Sequence, residues 1–230
     1  MARGTQFLDL VTRVKAKTGR AQSVAVGVDD VPRIQEEINT VYAALYMEND
    51  WPHLRKVFTR IPLNAGQRYY DFPTGLNSER VESVSVWWAS GICTPLTRGV
   101  SAEHYNAFDS VSDDRVEQAL LWDVRWTGTS DQIEIWPIPL TNNQSAEFVG
   151  IQAAPRLVHD SDRCLLDDTL VVLFASASLE KDDKQADKLL KLGQGHLATL
   201  KSRGRGGDTS LKLGLGHDES MRGYRGATVV

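Results

Sequence analysis

Residues 165–202 read LLDDTLVVLFASASLEKDDKQADKLLKLGQGHLATLKS, and the rest of the chain is arranged around this stretch. Leu166-Asp167-Asp168 makes a helix start, with carboxylates where the macrodipole favours them. Apolar residues then recur at Leu170, Val171, Phe174, Ala177, Ala186, Leu189, Leu190, Leu197 and Leu200, close to helical spacing. The charged run Glu180-Lys181-Asp182-Asp183-Lys184 reads as a solvated face with acid-before-base pairs. Read continuously, the stretch predicts roughly 50 Å of helix, with Gly193 and Gly195 as the places where it would break.

The chain beyond Lys201 is rich in glycine and arginine and poor in large apolar groups. Leu211, Leu213 and Leu215 alternate with Lys212 and Gly214. That pattern suits either a strand added to a partner's sheet edge or a disordered end. Six basic residues against three acidic ones from Lys201 onward give +3 there, which leaves −7 on the rest of a chain of formal charge −4. An acidic body with a basic end points to contact with a partner.

Upstream, Thr5 is placed to cap a first helix to about Lys17, with Phe7, Leu8, Val11 and Val14 on one face and Gly19 as its stop. Asp30-Val31-Pro32 starts a second helix. Its stripe is Ile34, Ile38, Val41, Tyr42, Leu45 and Tyr46, and it ends before Trp51-Pro52. The period then changes to alternation. Val57 to Leu63 and Arg68 to Phe72 flank an Asn64-Ala65-Gly66 turn, as a hairpin would. Val84 to Trp88 turns through Ser90-Gly91 into Ile92 to Thr97, and Ser101 to Phe108 suits a short helix. Trp122 to Trp126 turns through Thr127-Gly-Thr-Ser130 into Ile133 and Ile135, and a last strand covers Glu147 to Gln152. The expected fold class is α+β, a helical bundle of two N-terminal helices and a long C-terminal helix with an inserted antiparallel β domain. The boundaries are 1–52, 53–160 and 161–202, followed by a flexible tail at 203–230.

At 230 residues, 41% hydrophobic and 24% charged, the composition is that of a soluble globular protein. Cys93 and Cys164 have no metal-ligand spacing and suit a reducing compartment. No apolar run reaches transmembrane length, and the N-terminus lacks a signal-peptide core, so no membrane role is expected.

Catalytic constellations are scarce. His53, His104, His159, His196 and His217 are separated, so none has a partner at ligand spacing. His159-Asp160-Ser161-Asp162 with Asp167-Asp168 offers carboxylates to a hard cation, but an EF-hand's glycine and glutamate are missing and turn and cap duty before the long helix is the favoured reading. Asp123 and Glu134 on neighbouring strands offer a carboxylate pair for glycoside hydrolysis, as any β domain with this many acids would. Trp87, Trp88, Trp122, Trp126 and Trp136 suit a core or subunit contact, or a carbohydrate-binding β module. Nucleotide-binding and nucleophile-elbow motifs are missing; Gly193-Gln-Gly195 and Gly204-Arg-Gly206-Gly207 lack the strand–helix context. No enzyme activity, cofactor or metal is expected.

A family resemblance follows from two short motifs. Ile61-Pro-Leu-Asn-Ala65-Gly66-Gln67 followed by Tyr69-Tyr70-Asp71-Phe72-Pro73 resembles the L-x-A-G-x-x-x-Y-x-[FL]-P stretch of the head-to-tail adaptor proteins of tailed bacteriophages. Ile133-Glu-Ile135-Trp136-Pro137-Ile-Pro139 is similar to the W-P-x-P strand end of that family. The resemblance implies a virion protein of the neck, made in the host cytoplasm. Twelve copies would form a ring between the portal and a downstream tail or nozzle protein, with double-stranded DNA passing through without specific binding. Another neck or tail ring protein would share these features. It also implies a C-terminal segment that clamps the portal, for which Leu211, Leu213, Leu215 and Tyr224 are the expected anchors and Arg203, Arg205 and Arg225 the polar contacts.

Overall fold

The computed structural model describes residues 3–20, 30–108 and 114–202. The chain is α+β and divides into two compact units, one of residues His53–Ala153 and one of the chain on either side. The polar connector 21–29 and the segment 203–230 lie outside the described residues.

The helical unit begins with α1, Phe7–Lys17, and α2, Val31–Glu48. Phe7, Leu10, Val11 and Val14 are buried on α1, whereas Leu8, one residue out of phase, is half exposed. Thr5 does not cap this helix. Its hydroxyl donates to Asp168 Oδ2 at 3.1 Å, and Gln6 takes the cap position without a side-chain bond. At the other end Gly19, at φ +64°, lets Arg20 N–H reach back to Lys15 C=O at 3.0 Å, which closes the helix. On α2 the apolar stripe is as expected except that Val41 is only partly covered and Asn39 is buried. The Asn39 side chain donates to Leu157 C=O at 3.0 Å and accepts Leu157 N–H at 2.9 Å. Residues 154–160, grouped with the insertion in the sequence reading, therefore cluster with the helices. Trp51 Nε1 and Asn49 Nδ2 both donate to Leu45 C=O at 3.0 Å, which satisfies an otherwise open carbonyl at the end of α2.

The single long helix is instead two. The helix α4, Asp168–Leu179, is apolar nearly all round and buried accordingly. It packs on both α1 and α2. The chain leaves it in extended conformation at Glu180, and a further helix, α5, runs from 183 to the last described residue, 202. The break falls in the charged run because Asp182 accepts Lys184 N–H at 3.1 Å and so caps α5. Gly193 is no breaker. A Cβ there would lie 3.1 Å from the Phe174 ring, so glycine allows α5 to lie close on α4. Leu189 of α5 packs with Leu173 and Ala177 of α4. Gly195 meets nothing within 4 Å, and its choice has no structural account.

In the β unit, β1 (Arg55–Val57) and β2 (Ile61–Leu63) both pair with β9 (Gln144–Gln152). The strand β9 pairs in turn with β4 (Leu76–Trp88), and β4 with β5 (Cys93–Pro95). The second sheet runs β3 (Tyr69–Asp71), β8 (Asp131–Trp136), β7 (Leu121–Trp126) and β6 (Thr97–Arg98). All pairs are antiparallel except β6 with β7, so the insertion is not wholly antiparallel as expected. Between β6 and β7 lies a short helix, α3, Ala102–Ala107. Leu63, Val84, Val86, Ala146 and Phe148 of one sheet share a core with Tyr70, Trp122, Ile133 and Ile135 of the other.

The expected hairpin across Asn64-Ala65-Gly66 does not form, because β2 and β3 belong to different sheets. The turn is a corner pinned by Tyr70, whose hydroxyl accepts Asn64 N–H at 3.0 Å and donates to Gln67 C=O at 2.9 Å. A second tight spot is Gly150 on β9, opposite the irregular stretch of β4. A Cβ there would come within 2.9 Å of Arg80 C=O and 3.2 Å of Val81 Cα.

Two outcomes are expected. Gly150→Ala should destabilise the protein by about 1–3 kcal/mol through this overpacking, read as a lower midpoint in chemical denaturation. Of the two thiols, exposed Cys93 should react with a maleimide at pH 8, and buried Cys164 only on unfolding. Burial pushes the Cys164 thiol from 9.0 up to about 12, so the stability tied to its neutral form is complete below pH 9 and is lost as pH rises towards 12.

Candidate functional site

The two sequence motifs meet at one place in the β unit. Glu134, on the face of β8 turned away from the main core, is fully buried. Arg68 Nε and Nη2 donate to its Oε1 at 2.7 and 2.6 Å, and Arg125 Nε donates to Oε2 at 2.7 Å. The Tyr105 hydroxyl, from α3, lies 2.9 Å from both oxygens. The Arg68 guanidinium also stacks over the rings of Tyr105 and Trp136, 4.6 and 5.0 Å from their centroids. Trp136 donates its indole N–H to His104 C=O at 3.1 Å and meets Tyr105 edge to face. Gly66 N–H, from the other motif, donates to Pro139 C=O at 2.9 Å. Leu63 and Tyr70 share the core between the two sheets, whereas Trp136 belongs to a separate cluster with Val100 and Ile138.

The electrostatics around Glu134 are those of a lock. The Arg125 guanidinium is held above its usual range by its bonds to Glu134. At Arg68 burial alone would lower the value, but the Glu134 bonds outweigh it and the net direction is up. Burial, then the Glu134 bond, raises the Tyr105 phenol. Asp123 does sit directly opposite Glu134 in register. With two guanidiniums and a phenol on its oxygens, however, Glu134 has no access to a substrate, and a glycosidase pair does not result.

The helical unit has a comparable joint. Asp167 and Asp168 are almost fully buried. Asp167 Oδ1 accepts Leu170 N–H at 3.1 Å and faces His196 Nε2 of α5 at 3.0 Å. Asp168 Oδ2 accepts from Thr5 and is ion-paired with Arg13 of α1. Asp162 accepts Val158 and His159 N–H groups, which hold its carboxyl below the usual range. Of the acids considered for a cation, Asp162, Asp167 and Asp168 are thus spent on turns, caps and ion pairs, and among the described residues no group of three or more His, Cys, Asp or Glu is placed to hold a metal ion.

The tryptophans divide. Trp122 and Trp136 are core. Trp87 is stacked under Arg60, 3.9 Å from its centroid, and donates to Glu147 at 3.1 Å. Trp126 is 68% exposed at a hairpin end. The expected contact residues Arg203, Arg205, Leu211, Leu213, Leu215, Tyr224 and Arg225 all lie outside the described residues. Sequence reasoning missed the clamp itself. Its signal was available in Arg125, a cation between two strand tryptophans, and in Glu134, an acid inside an apolar strand. No helix among the described residues is long and apolar enough to cross a membrane.

Both joints spend buried charge on holding together the elements of an α+β protein. A family model described as SU10 adaptor protein matches residues 5–209, and the chain belongs to that family of phage head–tail adaptors. It is accordingly an adaptor, a structural phage protein, and membership of the family implies a place in the virion neck, oligomerisation and contact with portal and tail proteins. A search of curated proteins returns no match.

Replacing the clamp's carboxylate tests its role. Glu134→Gln leaves two guanidiniums without their counter-charge and should cost about 2–4 kcal/mol, seen as a lower thermal midpoint; an unchanged midpoint would show that the joint is dispensable.

Proposed function

We propose that the chain forms a ring, with twelve copies the expected number, between the portal and a downstream tail or nozzle protein, and that it extends the DNA channel. In this reading the helical unit supplies the ring and residues 53–153 are an inserted element that meets neighbours. The segment 203–230 attaches to the portal, with Leu211, Leu213, Leu215 and Tyr224 as anchors and Arg203, Arg205 and Arg225 as polar contacts. The observation that carries the reading is the family match across almost the whole described chain. The basic end that continues from α5 supports the attachment, and the excess of acids over the rest of the chain suits a channel through which phosphates slide. Ring assembly takes place in the host cytoplasm before the neck is complete.

Truncation after Ser202 separates the fold from the attachment. The shortened protein should keep the thermal midpoint of the full chain and lose binding to its portal in a light-scattering titration. Undiminished binding would sink the attachment.

A further inference from the structure

We propose that neighbouring subunits exchange α5: the hinge at 180–182 straightens, and α5 of one copy takes on α4 of the next the place that it holds on its own α4 in the single chain. This rests on the ring reading and names the contact that joins its subunits. Of the side chains on α5, only that of Leu189 is buried among the described residues, against Leu173 and Ala177. Gly193 lies over the Phe174 ring and His196 faces buried Asp167, so a stripe of three positions holds the helix down. The connection between α4 and α5 is the short stretch 180–182, and Glu180 is extended. A helix folded back through so short a hinge is readily exchanged, because every closed contact forms again between copies and only the hinge changes.

The hinge has a second conformation available. Glu180 to Lys184 contains neither proline nor glycine, and the apolar residues on either side keep helical spacing. In the closed copy the Asp182 side chain interrupts that helix by accepting Lys184 N–H. With the hinge helical, α4 and α5 become one rod of roughly 50 Å, and α5 projects clear of its own α4. Leu173, Phe174 and Ala177 then lose their cover and Asp167 its histidine, which is unfavourable for a buried carboxylate. The α5 of another copy supplies all of these contacts at once, and in one register only, since Leu189, Gly193 and His196 have to arrive together. Each copy gives one helix and receives one, a head-to-tail contact of the kind that closes into rings.

Proline at the hinge tests this in the full chain, with mass read by native mass spectrometry, alone and on the portal. Asp183 is the first residue of α5, where proline fits because no N–H is needed, whereas inside the straight helix proline is excluded. Asp183→Pro should therefore keep the circular-dichroism melting curve and the hydrogen-exchange protection of residues 183–202, and weaken assembly about tenfold or more. A complementing pair of variants separates exchange from closed docking. Gly193→Leu prevents α5 from lying on Phe174 and Phe174→Ala empties the same place, so each should assemble poorly alone. Mixed, they should assemble again, because the enlarged helix of one copy then meets the emptied site of the other. Wild-type assembly by Asp183→Pro, or an unrestored mixture, would overturn the exchange and leave the ring standing. A wild-type chain that stays monomeric alone and on the portal would overturn the ring, and the exchange with it.

Discussion

Burying a carboxylate is unfavourable unless donors or cations meet its oxygens, and α4 begins with two buried carboxylates in succession. Asp167 caps its own helix and faces His196; Asp168 takes Thr5 and Arg13. Between them they fix the N-terminal segment, α1, α4 and α5 to one point. The arrangement dictates much of what surrounds it. Thr5 is diverted from capping α1, and α5 has to fold back over α4 so that His196 arrives beside Asp167. That return path is why the chain breaks at Asp182 and why a glycine meets Phe174.

The β unit solves the same problem at a single residue. There one buried acid, Glu134, faces two guanidiniums, and the phenol of Tyr105 completes the set. Ion pairs of this kind contribute little net stability but penalise any arrangement that separates the partners. They therefore select one docking of α3 on the second sheet. For a subunit of an assembly, whose surfaces must present fixed geometry to several neighbours, such selection is of more use than additional apolar area.

Much of this was legible in the residues. Helix starts at Pro32, the stop at Gly19, the turns at Gly91 and Gly128 and the change of period after Trp51 follow from local chemistry, and local chemistry decided them. The illegible parts were those where a distant partner overrides the local preference. Glu180 to Lys184 suits a solvated helix face as well as a cap, and only the fold-back of α5 separates the two. The corner at Asn64 to Gln67 carries every hairpin signal, but the Tyr70 hydroxyl and the Pro139 carbonyl send β3 to the other sheet. The Glu134 clamp is assembled from positions 68, 105, 125 and 134, and no spacing rule links them. The expected contact residues beyond 202 follow from the family resemblance and lie outside the described residues.

The strands through which the chain enters and leaves the β unit are hydrogen-bonded neighbours, with Arg55 opposite Ile151 and Val57 opposite Val149. Paired residues in an antiparallel ladder lie about 5 Å apart at Cα, the separation of the two ends of a tight turn. To the helices on either side, the whole 53–153 segment is therefore the topological equivalent of a short loop. Its size and decoration can drift, or be exchanged for another module with adjacent termini, without altering the distance the helical framework has to close. A protein built this way can follow changes in one neighbour while it holds its register with another.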